Sequence, residues 1–384
     1  MGEISSQRPT WAEVNLDNLT FNFESSKRFV GSDLKYMAVV KADAYGHGAV
    51  RCAKRLEAAG ADWFGVALPE EGVELRRAGI RKLILCLGGF WDGQAEVALN
   101  YQLTPVVYQI ERARVLNDAA TRRGTAVAVH VKVDTGMGRI GVRHDAIAEF
   151  AEELRKLDHL RLEGVMTHFA AADDLSQTDF THTQIDRFHT AVDTFRGKGF
   201  HPSYLDLANS PGAVAHPSSR GNMVRLGGVL YGLGGDVLPG GIDKPELRPV
   251  LSLHTRVAHL KRVPAGETIG YGRTFEAKTD STIATIPIGY QDGFSRSLSN
   301  AGRGIVRGKF APVAGRVSMD WTTLDVTAIE DVEVGDQVVL IGEQDGLQIA
   351  AEDLAAAEGT ISYEVTCSID RRVPRIYTDS TDDP

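Results

Sequence analysis

A lysine stands directly after an apolar run, in Met37-Ala38-Val39-Val40-Lys41. An amine at the mouth of a partly dry site loses proton affinity and becomes nucleophilic enough to form a Schiff base. Taken alone, the pattern describes a solvated strand-end lysine equally well. Two other stretches shift the balance. Asn209-Ser210 and Arg225-Leu226-Gly227-Gly228 bring together a hydroxyl, a cation and glycine amides. Such groups cradle a phosphate. A reactive lysine with a phosphate cradle implies pyridoxal 5'-phosphate, an aldehyde that carries a phosphate. More polar residues end apolar runs elsewhere: Lys132 with Asp134-Thr135-Gly136-Met137-Gly138-Arg139, and His168.

Other chemistries find less support. Gly136-Met137-Gly138-Arg139-Ile140-Gly141 satisfies the glycine spacing of a dinucleotide fingerprint. It follows the fifth member of a repeating series and a lysine, which is the wrong place for that motif. The eleven histidines include no H-x-x-x-H or H-x-H pair, so no metal is expected. A net charge of -9 and a pI near 5.7, without a basic block, speak against nucleic acid and anionic membranes as partners. Three scattered cysteines (Cys52, Cys86, Cys367) form neither a disulfide framework nor a zinc spacing. They suit a reducing compartment, and with no apolar leader segment a cytoplasmic location is expected. No run of about 18 apolar residues suggests a membrane span. The myristoylation-like start Met1-Gly2…Ser6 and the sequon Asn18-Leu19-Thr20 read as chance.

The elements that must position these residues repeat. Between residues 36 and 235 eight short apolar, β-branched runs alternate with helix-compatible stretches. The runs are Tyr36–Val40, Trp63–Ala67, Lys82–Leu87, Leu103–Val107, Val127–Val133, Leu162–Thr167, Tyr204–Leu207 and Val224–Leu230. Glu70–Ala78 and Gln109–Arg122 are amphipathic connectors. Eight such units predict a (β/α)8 barrel, with an open doubly wound sheet as the alternative. In a barrel the active site lies at the carboxyl ends of the strands, where Lys41, Arg139, His168, Asn209 and Ser210 fall. After residue 245 the texture changes. Val250–Arg262, Ser281–Ile288, Gly304–Val313, Thr322–Val326 and Gln337–Ile341 read as strands, and only Ile349–Ala357 reads clearly as a helix. The expectation is an α/β barrel domain over 1–244, binding the cofactor, and a mostly β domain over 245–384.

The run Ala38-Val39-Val40-Lys41-Ala42-Asp43-Ala44-Tyr45-Gly46-His47-Gly48 resembles the cofactor-lysine signature of the alanine racemase family. The likeness continues, in order, through Lys132-Val133-Asp134-Thr135-Gly136-Met137-Gly138-Arg139, Met166-Thr167-His168-Phe169-Ala170, Ala208-Asn209-Ser210 and Val224-Arg225-Leu226-Gly227. It reaches Gly270-Tyr271-Gly272, Ile288-Gly289-Tyr290-Gln291-Asp292-Gly293, Gly315-Arg316-Val317-Ser318-Met319-Asp320, Ser362-Tyr363-Glu364-Val365 and Arg372-Val373-Pro374-Arg375.

The resemblance implies a pyridoxal-phosphate enzyme that interconverts L-alanine and D-alanine and supplies D-alanine for peptidoglycan. It implies a head-to-tail homodimer in which each site joins one subunit's barrel to the partner's β domain. Lys41 would hold the cofactor and act as one base, and the partner's Tyr271 as the other. Two bases on opposite faces of Cα suit a racemisation. Arg225 would hydrogen-bond the pyridine nitrogen. Because a guanidinium does not give up its proton, the ring would remain a modest electron sink. A phosphate-binding arginine is the competing reading. Tyr45, Ser210, Gly227, Gly228 and Tyr363 would contact the phosphate. Asn209 would support the ring or phosphate loop, and His168 would lie near the ring or beside Arg225. Arg139 and the backbone amide of Met319 would meet the substrate carboxylate. Lys132 takes the position of a lysine that is carbamylated in many members, or is an unmodified strand lysine. Tyr290, Arg316, Asp320 and Arg375 would surround and support the substrate approach. Two residues depart from the family pattern: Ser318, where many members have Cys, and Asp206, where many have a His just before the Asn-Ser pair. Either departure could accompany an altered substrate range. A serine or broad-specificity racemase of the same fold is therefore the alternative.

Overall fold

The computed structural model describes residues 8–380. The myristoylation-like start lies outside the described residues. The chain forms two compact units. One comprises Leu19–Ala44 and Ala49–Leu247. The other gathers, among the described residues, Arg8–Asn18, Tyr45–Gly48 and Arg248–Ser380.

The first unit is a closed barrel of eight parallel strands: Lys35–Val39, Trp63–Val66, Leu83–Cys86, Thr104–Val107, Val127–Asp134, Leu160–Met166, Tyr204–Asp206 and Met223–Leu226. The last strand pairs with the first, Arg225 opposite Met37, which closes the ring. All eight expected runs are strands. Their near-continuous apolar character follows from burial on both faces. Along Val127–Asp134, the valines at 129, 131 and 133 join the core formed with the outer helices. The alternate residues His130 and Lys132 therefore take the other face of the strand. Met37, Trp63, Leu85, Val106, Met166 and Met223 form a second cluster that fills the barrel. His130 is fully buried, against Trp63 and Tyr204, and burial pushes its pKa down to about 3. A Cβ on Gly164 would come within 2.5 Å of the His130 ring, so glycine makes the room. The eighth run is shorter than expected. The strand stops at Leu226, and Gly228–Tyr231 turns into a 3-10 helix. The apolar residues beyond the strand are core residues of that turn.

The second unit is mostly β. Its main sheet runs Lys309–Pro312, Arg303–Val306, Gln337–Gln344, Leu251–Arg256, Thr10–Asn15, Arg375–Thr378. A three-stranded sheet contains His259–Val263, Ser281–Ile286 and Thr322–Asp325. Two expected strands are split in two. Val250–Arg262 breaks after Arg256, and Gly304–Val313 is a hairpin turning at Arg307 (φ 48) and Gly308 (φ 66). A second helix, Ser362–Ser368, follows Ala351–Glu358. Thr10–Asn15, within the stretch 1–244 expected to form the barrel domain, is instead a strand between Leu251–Arg256 and Arg375–Thr378. Its backbone satisfies a strand on each side.

Candidate active site

Lys41 follows the first barrel strand and opens an unusual turn. Ala42, Asp43, Ala44 and Tyr45 have φ of 53, 52, 54 and 55°, so four successive non-glycine residues are left-handed. Each such residue costs roughly 1–2 kcal/mol. The segment must therefore be held by its surroundings. Glu71 holds its front end: Oε1 accepts the Ala42 N–H (2.8 Å), while Oε2 accepts those of Ala67 (2.6 Å) and Leu68 (3.2 Å). Asp43 Oδ1 accepts the Ala49 N–H (2.6 Å), and the Ala44 N–H reaches Val40 O (2.9 Å). Neither Glu71 nor this backbone strain was legible in the sequence. In sequence Glu71 is only one acid within the amphipathic stretch Glu70–Ala78.

Arg225 is the centre of the buried polar layer, only 3% exposed. Nη1 donates to Asp206 O and forms an ion pair with Asp206 Oδ1. Nη2 donates to Thr167 O (2.9 Å) and Leu207 O (3.1 Å) and lies 3.3 Å from His168 Nδ1. Nε–H has no protein acceptor among the described residues. A buried guanidinium with one N–H left over fits an acceptor such as a ring nitrogen. His168 does sit beside Arg225. Burial first, then the charges of Arg225, Lys132, Arg139 and Lys41, hold its pKa well below 6.5. The imidazole is therefore neutral, and Nδ1 accepts. Asp206 is fully buried, and desolvation pushes its pKa up to about 6 against the opposing pull of Arg225. Its Oδ2 has no partner among the described residues.

Lys132 is 5% exposed on the inner side of its strand. Burial, then Arg225, Arg139 and Lys41, push its pKa down from 10.5 to about 7. The folded state thus favours the neutral amine. The stability it contributes is complete above pH 10.5 and is lost as pH falls through 7. A shift of this size corresponds to a cost on the order of 5 kcal/mol for the charged form. Lys132→Met is therefore expected to raise Tm at pH 6 clearly more than at pH 9. An equal gain at both pH values in thermal denaturation would show that Lys132 is not displaced in this way.

Arg139 is exposed, in a loop shaped by Asp134, whose Oδ1 accepts the N–H groups of Gly136 and Gly138 (both 3.0 Å). The loop leads into a short strand, Val142–Arg143, beside Val133–Asp134. No helix opens at these glycines, so the dinucleotide fingerprint lacks its required context. Asn209 caps the helix Ser210–Ala215 by accepting the Gly212 N–H (3.1 Å). Ser210 Oγ accepts the Gly227 N–H (2.9 Å), joining the loops after the seventh and eighth strands, with Gly228 next in line. Lys41, Lys132, Arg139, His168, Asn209, Ser210, Arg225, Gly227 and Gly228 all belong to the barrel unit. Among the described residues no cluster of three or more His, Cys, Asp or Glu side chains is arranged for a metal, and no helix is long and apolar enough to cross a membrane.

The β unit presents the other candidates. Tyr45 and Tyr363 meet edge to face at 5.1 Å. Arg375 donates to Gly46 O (3.1 Å) and to three further carbonyls, so it braces the chain just after Tyr45. Tyr271 is 71% exposed between Gly270 and Gly272, and Met319 is 51% exposed. A Cβ on Gly272 would lie 3.1 Å from the Arg316 guanidinium, so glycine admits Arg316 against this turn. A Cβ on Gly289 would lie 2.2 Å from Ser318 O. Its absence lets Tyr290 N–H reach Ser318 O (3.0 Å) and Gln291 N–H reach Met319 O (3.1 Å). Asp320 is paired with Arg372 (2.7 Å).

A closed parallel barrel with a basic, partly desolvated cluster at its strand ends defines a barrel enzyme whose candidate nucleophile is an amine. Residues 14–234 match the model of the alanine racemase N-terminal domain and residues 250–377 that of the C-terminal domain. An alanine racemase of Geobacter sulfurreducens is 45% identical over 375 residues, covering 96% of this chain and 97% of the relative. One of Halothermothrix orenii is 45% identical over 372 residues, with the same coverage. Among solved structures, alanine racemase of Clostridium difficile 630 superposes with a TM-score of 0.90 at 40% identity, covering 97% of each chain. That of Bacillus anthracis with bound L-Ala-P gives 0.90 at 37%, covering 97% of this chain and 96% of the other. The chain belongs to the alanine racemase family and is an isomerase.

Proposed function

We propose that the chain interconverts L-alanine and D-alanine with pyridoxal 5'-phosphate, as a cytoplasmic homodimer that supplies D-alanine for peptidoglycan. The observation that carries the reading is the buried layer around Arg225. Its Nη groups are committed to protein acceptors and its Nε–H is left for an acceptor outside the protein. When bound, the cofactor withdraws electrons from the substrate and makes its Cα proton removable. Lys41 holds that group through its amine and moves a proton on one face. Tyr271 of the partner subunit moves a proton on the other. Ser210, Gly227, Gly228, Tyr45 and Tyr363 bind the phosphate, with Asn209 fixing the loop. Neutral His168 cannot add a second cation beside Arg225. Arg139 and the partner subunit's Met319 bind the substrate carboxylate, supported by Tyr290, Arg316, Asp320 and Arg375. In its neutral form, the Lys132 amine can add carbon dioxide and release one proton, giving a carbamate that would face the basic cluster. In this reading 1–244 binds the cofactor and 245–384 completes the partner's site.

Loss of optical rotation of L-alanine, with and without added pyridoxal phosphate, tests the activity, and L-serine in the same assay tests the range. Sharing of sites is tested by mixing Lys41→Ala with Tyr271→Phe protein. Hybrid dimers contain one site with both groups intact, so activity is expected to return toward a quarter of wild type, about half the protein being hybrid with one good site. No recovery, under conditions where subunits demonstrably exchange, would place Tyr271 in its own chain's site.

A further inference from the structure

We propose that Glu71 is a positioning residue for Lys41, acting through the left-handed turn that follows the lysine. The inference rests on the functional reading above for the role of Lys41, and on geometry for the clamp. One carboxylate bridges two segments. Oε2 accepts the N–H groups of Ala67 and Leu68 at the start of the helix Pro69–Arg77, and Oε1 accepts the Ala42 N–H. The helix end would be capped by Oε2 alone. Extending Oε1 to Ala42 ties the residue next to Lys41 to a different element.

The turn requires such a tie. Ala42, Asp43 and Ala44 are all left-handed, a conformation alanine avoids, and the turn's own hydrogen bond from Ala44 to Val40 leaves the Ala42 N–H to Glu71. The other end is pinned by Asp43 on Ala49. With the front end released, the turn can relax to ordinary backbone angles. Lys41, at the hinge, then loses its fixed aim into the layer of Lys132 and His168, on which its charge acts. Glutamine at 71 has one oxygen and one NH2. It can serve the helix start or Ala42, and its NH2 opposes an N–H on the other side.

The test uses the full-length protein with Glu71→Gln and with Glu71→Gln combined with Ala42→Gly. Glycine adopts positive φ without the side-chain penalty, so it relieves the turn but cannot repair the helix cap. Hydrogen exchange of the peptide spanning residues 40–46 reads the clamp without any cofactor. Protection there is expected to fall about tenfold or more in Glu71→Gln. Borohydride-fixed attachment of pyridoxal 5'-phosphate to Lys41, followed by mass spectrometry, reads the link to the lysine. The attachment rate and kcat are expected to drop about tenfold, with KM changed less than about threefold, and Ala42→Gly is expected to recover most of the loss. Unchanged exchange protection would overturn the clamp. Unchanged attachment, or a loss that glycine does not relieve, would reduce Glu71 to a helix cap. If wild type itself takes no cofactor, the functional reading fails, and with it the role for Lys41, while exchange still judges the clamp. Should Glu71→Gln not fold, Glu71→Asp, too short to bridge both segments, carries the same comparisons.

Discussion

Lys41→Ala is expected to leave a folded protein that neither racemises alanine nor retains a cofactor band that borohydride fixes. The side chain projects from the end of a barrel strand whose pairing partners, Met223–Leu226 and Trp63–Val66, do not depend on it. Its removal should therefore cost little stability. If anything it relieves a cluster of like charges, since Lys41 disfavours the charged forms of Lys132 and His168. Function should respond in the opposite sense. One amine is asked to hold the cofactor and to move a proton, and loss of a positioned base alone costs about 10²–10⁴-fold. With the covalent anchor gone as well, the fall should reach at least the upper end of that range. Absorbance before and after borohydride, with racemisation measured on the same samples, checks both roles. A reducible band of undiminished size would remove Lys41 from the mechanism.

The barrel was legible because a strand buried on both faces must be apolar throughout, and eight such runs recur. The boundaries slipped where apolar residues serve other structures. Val229 and Leu230 extend the eighth run in sequence yet belong to a 3-10 turn packed into the core. Arg307-Gly308 splits one expected strand because two adjacent residues take positive φ. Thr10–Asn15 carries too little pattern of its own. It is a strand because Leu251–Arg256 and Arg375–Thr378, far along the chain, leave a place between them.

The site divides in the same way. Residue types with intrinsic chemistry, such as Lys41, Arg225 and His168, could be picked out from their place at strand ends. What their neighbours do to them could not. That Lys132 is held near neutrality and His168 kept uncharged depends on burial beside Arg225. Asp206 was noticed only as a departure in sequence. The fold makes it the carboxylate that balances Arg225 from behind. Glu71 is inconspicuous within the amphipathic stretch Glu70–Ala78 because the donor of its second bond, the Ala42 N–H, is contributed by a different strand's end.

Tyr271→Phe is expected to separate the two faces of the reaction. The substitution keeps the ring and removes only the group that carries a proton. Its surroundings favour a tight and specific turn: Gly270 and Gly272 take positive φ, and Arg316 occupies the space that a side chain on Gly272 would fill. The 71% exposure of Tyr271 within its own chain suits a group that works in a partner's site. Racemisation uses one base to remove the proton and the other to deliver it, so both directions should collapse, by about 10²–10⁴-fold. Half of the chemistry should survive. Lys41 should still exchange the α-proton of D-alanine with deuterated solvent at a rate within about tenfold of wild type. On the proposed assignment of Tyr271 to the L-alanine face, L-alanine should exchange far more slowly. Nuclear magnetic resonance follows the two enantiomers separately in parallel samples. Equal residual exchange from both would mean that a single group serves both faces, and the assignment of Tyr271 as the second base would have to be given up.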